Sequence, residues 1–229
     1  MKNKFNSSNS GLFRRQISSL VKIYLPALLL IVAIWLIEKV SDISVYELVA
    51  DPNEVGKIAP YVGLVSTLGV LLLCSGVSAC FFSSYLIEVR SRYDQKWQLF
   101  LRCSGCLLLV LLIDDAFQLH ENFSTLLFWF DSSATTVSAE LQNGLETIVF
   151  GVYGLAFLVY GVYFRKLIYR TETLPLLLAF LFLVMSLVVD LLFENVRGHF
   201  VMEEGFKLLG IVSLITYYIK ASFQKVKSF

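Results

Sequence analysis

Six apolar stretches, at residues 20–38, 58–86, 98–118, 144–164, 174–193 and 204–221, constrain this chain more than any other feature. A hydrocarbon core takes about 20 apolar residues to cross as a helix, and each stretch approaches or exceeds that length. Inside a bilayer every backbone N–H and C=O must be satisfied within the segment itself, so runs of this kind become helices. The expected fold is an all-α integral membrane protein, a six-transmembrane-helix bundle. Composition agrees: of 229 residues, 57% are hydrophobic and only 16% are charged, too few to coat a soluble core of this size. The first run, LPALLLIVAIWLIEKV, ends in charge and lacks a small-x-small cleavage site, so it reads as an uncleaved helix rather than a signal peptide. The expected organisation is a polar segment at 1–19, one transmembrane domain at 20–221 and a basic tail at 222–229.

Basic residues orient such a bundle, because cytoplasmic connections carry the excess of Lys and Arg. The N-terminus carries Lys2, Lys4, Arg14, Arg15 and Lys22. Arg90, Arg92 and Lys96 lie between the second and third, Arg165, Lys166 and Arg170 after the fourth, and Lys220, Lys225 and Lys227 at the end of the sixth. The alternate connections are acidic or mixed, with Asp42, Glu47, Asp51 and Glu54 in one and Asp131 and Glu140 in the next. Six spans with both termini cytoplasmic satisfy this alternation, and a cell or inner membrane is the expected location. A net charge of +1 argues against a nucleic-acid partner, which needs a concentrated basic face. The expected partners are the lipid bilayer and a lipid-like or small-molecule ligand; no feature specifies a protein partner.

Gly144, Gly151, Gly154 and Gly161 fall on one face of the fourth run, and small residues let helices approach closely in lipid, so this face is expected to be a helix–helix seam. Cys103-Ser-Gly-Cys106 has the form of CxxC, but it lies in an apolar helix, where small-residue packing is the better reading. Tyr153, Tyr160 and Tyr163 lie near the glycine face, while Trp35, Trp97 and Trp129 suit interfacial belts.

The ionisable residues are less ordinary. Asp114 and Asp115 sit at the end of the third run, with Gln118, His120 and Glu121 following. Glu146 opens the fourth run, Asp190, Glu194, Arg197 and His199 close or follow the fifth, and Glu203, Glu204 and Lys207 open the sixth. In the six-span arrangement these all gather at the outer leaflet. Asp114, Gln118 and Glu121 are spaced i, i+4, i+7, as are Asp190, Glu194 and Arg197, so each set is expected on one helical face. With the helix continuing through Glu121, as that face requires, Asp114 and Asp115 are expected roughly 7–10 Å inside its end. Eight acids face two cations, Arg197 and Lys207. Protonated carboxyls or a bound cation would resolve that excess.

Asp114, Asp115, His120, Glu121, Glu146, Asp190, Glu194, His199 and Glu203 are therefore candidate ligands for a divalent metal ion. Two imidazoles with several carboxylates resemble the inventory of dimetal helix bundles, but the Glu-x-x-His pair that marks those sites is absent. A single cation held mostly by oxygen, or a single zinc with an open position, fits as well. Such a metal would activate water or carry redox chemistry against a lipid-like or small substrate. Two alternatives stand beside it: an accessory or assembly subunit with a structural ion-pair network, and a proton-coupled transporter, which the lack of repeats and broken helices disfavours. Asn122-Phe-Ser124 matches the glycosylation sequon but lies close to a helix end. Residues 124–130, STLLFWF, read as an interfacial anchor, with a lid over the acids as the alternative.

Overall fold

The computed structural model describes residues 21, 23–37, 39–40, 45–49, 62–119, 139–193 and 199–227, excluding the side chains of 45, 139–143, 146, 191 and 193. All secondary structure among these is helical. The helices are α1 (Ile23–Ile37), α2 (Val45–Val49), α3 (Leu64–Leu86), α4 (Arg92–Phe117), α5 (Ala139–Ile168), α6 (Leu174–Phe193) and α7 (His199–Val226). Three segments, Leu64–Leu86, Thr147–Ile168 and His199–Val226, are long and apolar enough to cross a membrane. The described parts of α1 and α6 are apolar but shorter, and α4 carries Arg102, Asp114 and Asp115 along its length. Every apolar stretch of the sequence contains a helix, and the charges within α4 separate it from the three clear spans.

Helix boundaries follow local chemistry that hydropathy does not register. α4 begins six residues before its apolar run because Ser91, in extended conformation (φ −144°, ψ 163°), accepts the backbone N–H of Asp94. The Ser91 hydroxyl in turn donates to Asp94 Oδ2 at 2.7 Å, a reciprocal arrangement akin to a capping box. α4 ends at Gln118, which takes a left-handed conformation (φ 49°, ψ 46°). Gln118 therefore leaves the helical face it was expected to share with Asp114, while Glu121 lies outside the described residues. α2 was not anticipated from the acidic connection it occupies. It is tied down where Gly63 (φ 64°) donates its N–H to the Glu47 carbonyl at 2.9 Å, a backbone angle that suits glycine.

Two compact units divide the chain. The first comprises Met1–Leu72 with Leu174–Tyr217. Its core joins Ala27 and Ile34 of α1, Leu48 and Val49 of α2, Val65 of α3, and Leu208 and Leu209 of α7. The Ser213 hydroxyl donates to the Leu209 carbonyl, so Tyr24 supplies the hydrogen in its own bond to Ser213. α6 and α7 meet closely at Gly210, where an added Cβ would lie 2.7 Å from Leu183 Cγ.

The second unit comprises Leu73–Thr173 with Tyr218–Phe229. Phe100 is fully buried at its centre. It stacks on Tyr160 at 5.8 Å, meets Trp97 and Phe164 edge-on, and approaches Tyr218. Ser104 donates to the Phe100 carbonyl at 2.7 Å and receives the Tyr160 hydroxyl at 2.6 Å. Two sequence expectations change here. Trp97, only 2% exposed, belongs to this aromatic core rather than to an interfacial belt. The glycine face of α5 is not a seam among the described residues: a Cβ at Gly144, Gly151, Gly154 or Gly161 would meet nothing within 4 Å. Ile148, Val152, Leu155 and Val159 are each about 60% exposed on the same helix, as expected for a surface in contact with lipid chains.

Candidate functional site

The candidate residues divide between the two units. Asp114 and Asp115 belong to the second; Asp190, His199 and Glu203 belong to the first. His120, Glu121 and Glu194 lie outside the described residues, as does the side chain of Glu146. Among the described residues, no three of His, Cys, Asp and Glu come together as a metal would require.

Asp114 and Asp115 are buried, at 6% and 9% exposure. With α4 ending at Phe117, they lie about 3–5 Å from the helix end, shallower than the sequence count suggested. Shallow placement has an electrostatic consequence. The last carbonyls of a helix carry negative partial charge, and a carboxylate beside them is disfavoured by about 0.3–1 kcal/mol. No basic residue occupies that last turn. Asp114 also supplies its backbone carbonyl to the Leu119 N–H at 3.1 Å, closing the helix at the point where its side chain needs support.

Part of that support comes from α5, where the half-buried Tyr153 phenol stands within hydrogen-bonding reach of Asp114. In the sequence Tyr153 is one of three tyrosines near the glycine face, with nothing to single it out. Counted from the expected start of the fourth run, it lies about 13 Å in, which does not match the depth of Asp114. The actual α5 begins five residues earlier, at Ala139, which puts Tyr153 about 21 Å in and widens that mismatch. Asp115 is turned by about 100° from Asp114, as successive residues on a helix are, so the two carboxylates address different neighbours.

In the first unit, His199 opens α7 and is 9% exposed, its ring lying 3.9 Å from that of Phe200. Phe200 in turn meets Tyr46 of α2 edge-on at 5.0 Å. Lys207 pairs with Glu204 at 3.4 Å (i, i+3). Asp190 and Glu203 are half-buried, and each has its own interaction within the protein.

A further polar centre had no counterpart in the sequence reading. Lys225 Nζ reaches Asp94 Oδ1 at 2.6 Å, with both residues buried, linking the end of α7 to the start of α4. The hydrogen bond from Lys225, reinforced by that from Ser91, holds the Asp94 carboxyl down at about 2. The 131 residues separating the partners left no local spacing by which to find the pair.

A model of a protein family described as a domain of unknown function (DUF8692) matches residues 23–221. No curated protein and no solved structure matches the chain.

Proposed function

The chain belongs to that family, DUF8692, and with no activity attached to the description we propose a function from its own residues. It is a six-span membrane protein with both termini cytoplasmic, and its outer-leaflet acids hold a divalent cation. That cation serves hydrolytic or redox chemistry on a lipid-like or small substrate. The observation that carries this reading is the burial of the consecutive Asp114 and Asp115 in the last turn of α4, without a basic residue in that turn. Two carboxylates at the negative end of a helix dipole favour a positive ion beside them. Tyr153 would orient the Asp114 carboxyl as a ligand. His120, Glu121, Glu146, Asp190, Glu194, His199 and Glu203 are the remaining candidates, with the imidazoles favouring a transition metal.

Metal analysis of the purified full-length protein tests the proposal. A stoichiometric transition metal that is lost in Asp114→Asn and in His120→Ala supports it. Metal-free protein that retains its helicity and melting temperature after both substitutions rules it out.

A second reading, a non-enzymatic accessory or assembly subunit, draws support from the Asp94–Lys225 and Glu204–Lys207 pairs, in which charge serves packing. Its distinguishing result is stoichiometric co-purification with a larger membrane complex under gentle solubilisation.

A further inference from the structure

Toward the opposite end of α4 from Asp114 and Asp115, the second unit contains a cavity of about 350 Å³ formed by the first turns of α4, the last turns of α5 and the turn after it. Its lining is basic and aromatic. Lys96, Lys166 and Arg170 contribute three cations, Tyr93 and Tyr163 contribute two phenols, and Phe164 and Leu167 form a buried floor.

The acids of this region are already engaged. Asp94 is bound by Lys225, Glu172 by Lys220 at 2.8 Å, and Glu88 by Arg90. Among the described residues, none pairs with Lys96, Lys166 or Arg170. Arg170 is held in place, with its guanidinium 5.3 Å from the centre of the Tyr93 ring and its carbonyl accepting from Gln224 at 3.2 Å. Lys225 approaches the same ring at 5.4 Å. The positive charge at the cavity thus remains available to an incoming anion.

The cavity also continues into an apolar surface. Val159, Tyr163 and Lys166 lie i, i+4, i+7 along one face of α5, with Val159 58% and Tyr163 70% exposed. An anionic head placed among the cations would leave an attached hydrocarbon chain running along that face. The volume is also within the roughly 300–1,000 Å³ range of small-ligand sites.

The geometry points to a binding site for the phosphate headgroup of an anionic phospholipid, held by Lys96, Lys166 and Arg170 with its acyl chain along α5. The site rests on the membrane reading only for the source of its phosphate, because the same chemistry would take a soluble phosphate. Each cation near a lipid phosphate contributes about fivefold, so the three together account for a factor on the order of 100.

The test is native mass spectrometry of full-length protein in detergent, titrated with phosphatidylglycerol or with phosphatidylcholine of the same chains. A triple variant, K96Q/K166Q/R170Q, is compared with a charge-matched control, R92Q/R165Q/K227Q, whose residues lie outside the cavity. Wild type and control retain phosphatidylglycerol in preference to phosphatidylcholine, while the cavity variant loses that preference by a factor on the order of 100. Equal loss in both triple variants would overturn the site in favour of general basicity. Displacement of phosphatidylglycerol by inorganic phosphate at equal concentration would overturn the lipid source. If the cavity triple fails to fold by circular dichroism, the exposed singles K96Q and K166Q replace it, each expected to lose about fivefold. No loss in either would overturn the proposal. Carbonate-resistant membrane association of the wild type, measured separately, distinguishes failure of this site from failure of the membrane reading.

Discussion

The Asp94–Lys225 pair sets the most specific expectation at the level of single residues. The lowered carboxyl of Asp94, about 2 against an ordinary 3.8, means that the folded state binds its proton more weakly than the unfolded chain. Its stabilising contribution is therefore complete above about pH 4 and is lost as pH falls through the folded value near 2. Thermal melts of detergent-solubilised protein are expected to show a melting temperature that falls across this window. In Asp94→Asn that part of the pH dependence disappears, and the melting temperature at neutral pH is already lower. Lys225→Met is expected to be more harmful than Asp94→Asn, since it leaves a buried carboxylate without its ammonium. A pH profile of Asp94→Asn that parallels wild type would contradict this account. Nothing local in the sequence joins Asp94 to Lys225, which stands in the sequence simply as one of the basic residues at the end of the sixth run.

Among the helices, boundaries and close approaches carry the testable content. Ser91→Ala removes the cap of α4 and is expected to cost about 1 kcal/mol, read from denaturant or thermal unfolding. The glycines separate into two classes that spacing alone does not distinguish. Gly210→Ala would set a methyl group 2.7 Å from Leu183 Cγ and 3.2 Å from the Leu183 backbone N, an overpacked contact expected to cost about 1–3 kcal/mol. Gly154→Ala meets nothing within 4 Å, and the better helix propensity of alanine is expected to raise stability by about 0.5–1 kcal/mol. A drop in the melting temperature of Gly154→Ala would mean that another helix packs on that face. The 7, 3, 7 spacing of Gly144, Gly151, Gly154 and Gly161 was fully legible, but whether a neighbour packed on it was not. Periodicity reports which residues share a face, whereas packing depends on what the rest of the chain brings to it.

For the molecule as a whole, the membrane topology is the decisive quantity. Single cysteines introduced at Ser124 and Ser228 of a cysteine-free variant, probed in intact cells with an impermeant thiol reagent, are expected to react at position 124 and stay protected at 228. The reverse pattern, or equal reactivity, would overturn the six-span orientation. Helical class and the place of each long helix were legible from the sequence because apolar length is a local property, and a bilayer or a core rewards it wherever it occurs. The position of Asp114 and Asp115 near a helix end was legible for the same reason. Their depth was not, because the left-handed Gln118 ends α4 at Phe117, two and three residues beyond them. Only the tertiary structure decided that Tyr153 attends Asp114, that Trp97 is core, and that Asp94 is held by Lys225. It also decided that Lys96, Lys166 and Arg170 share one cavity. Each of these joins residues distant in sequence or sets a burial, and neither burial nor a distant partner is encoded in the local spacing of residue types.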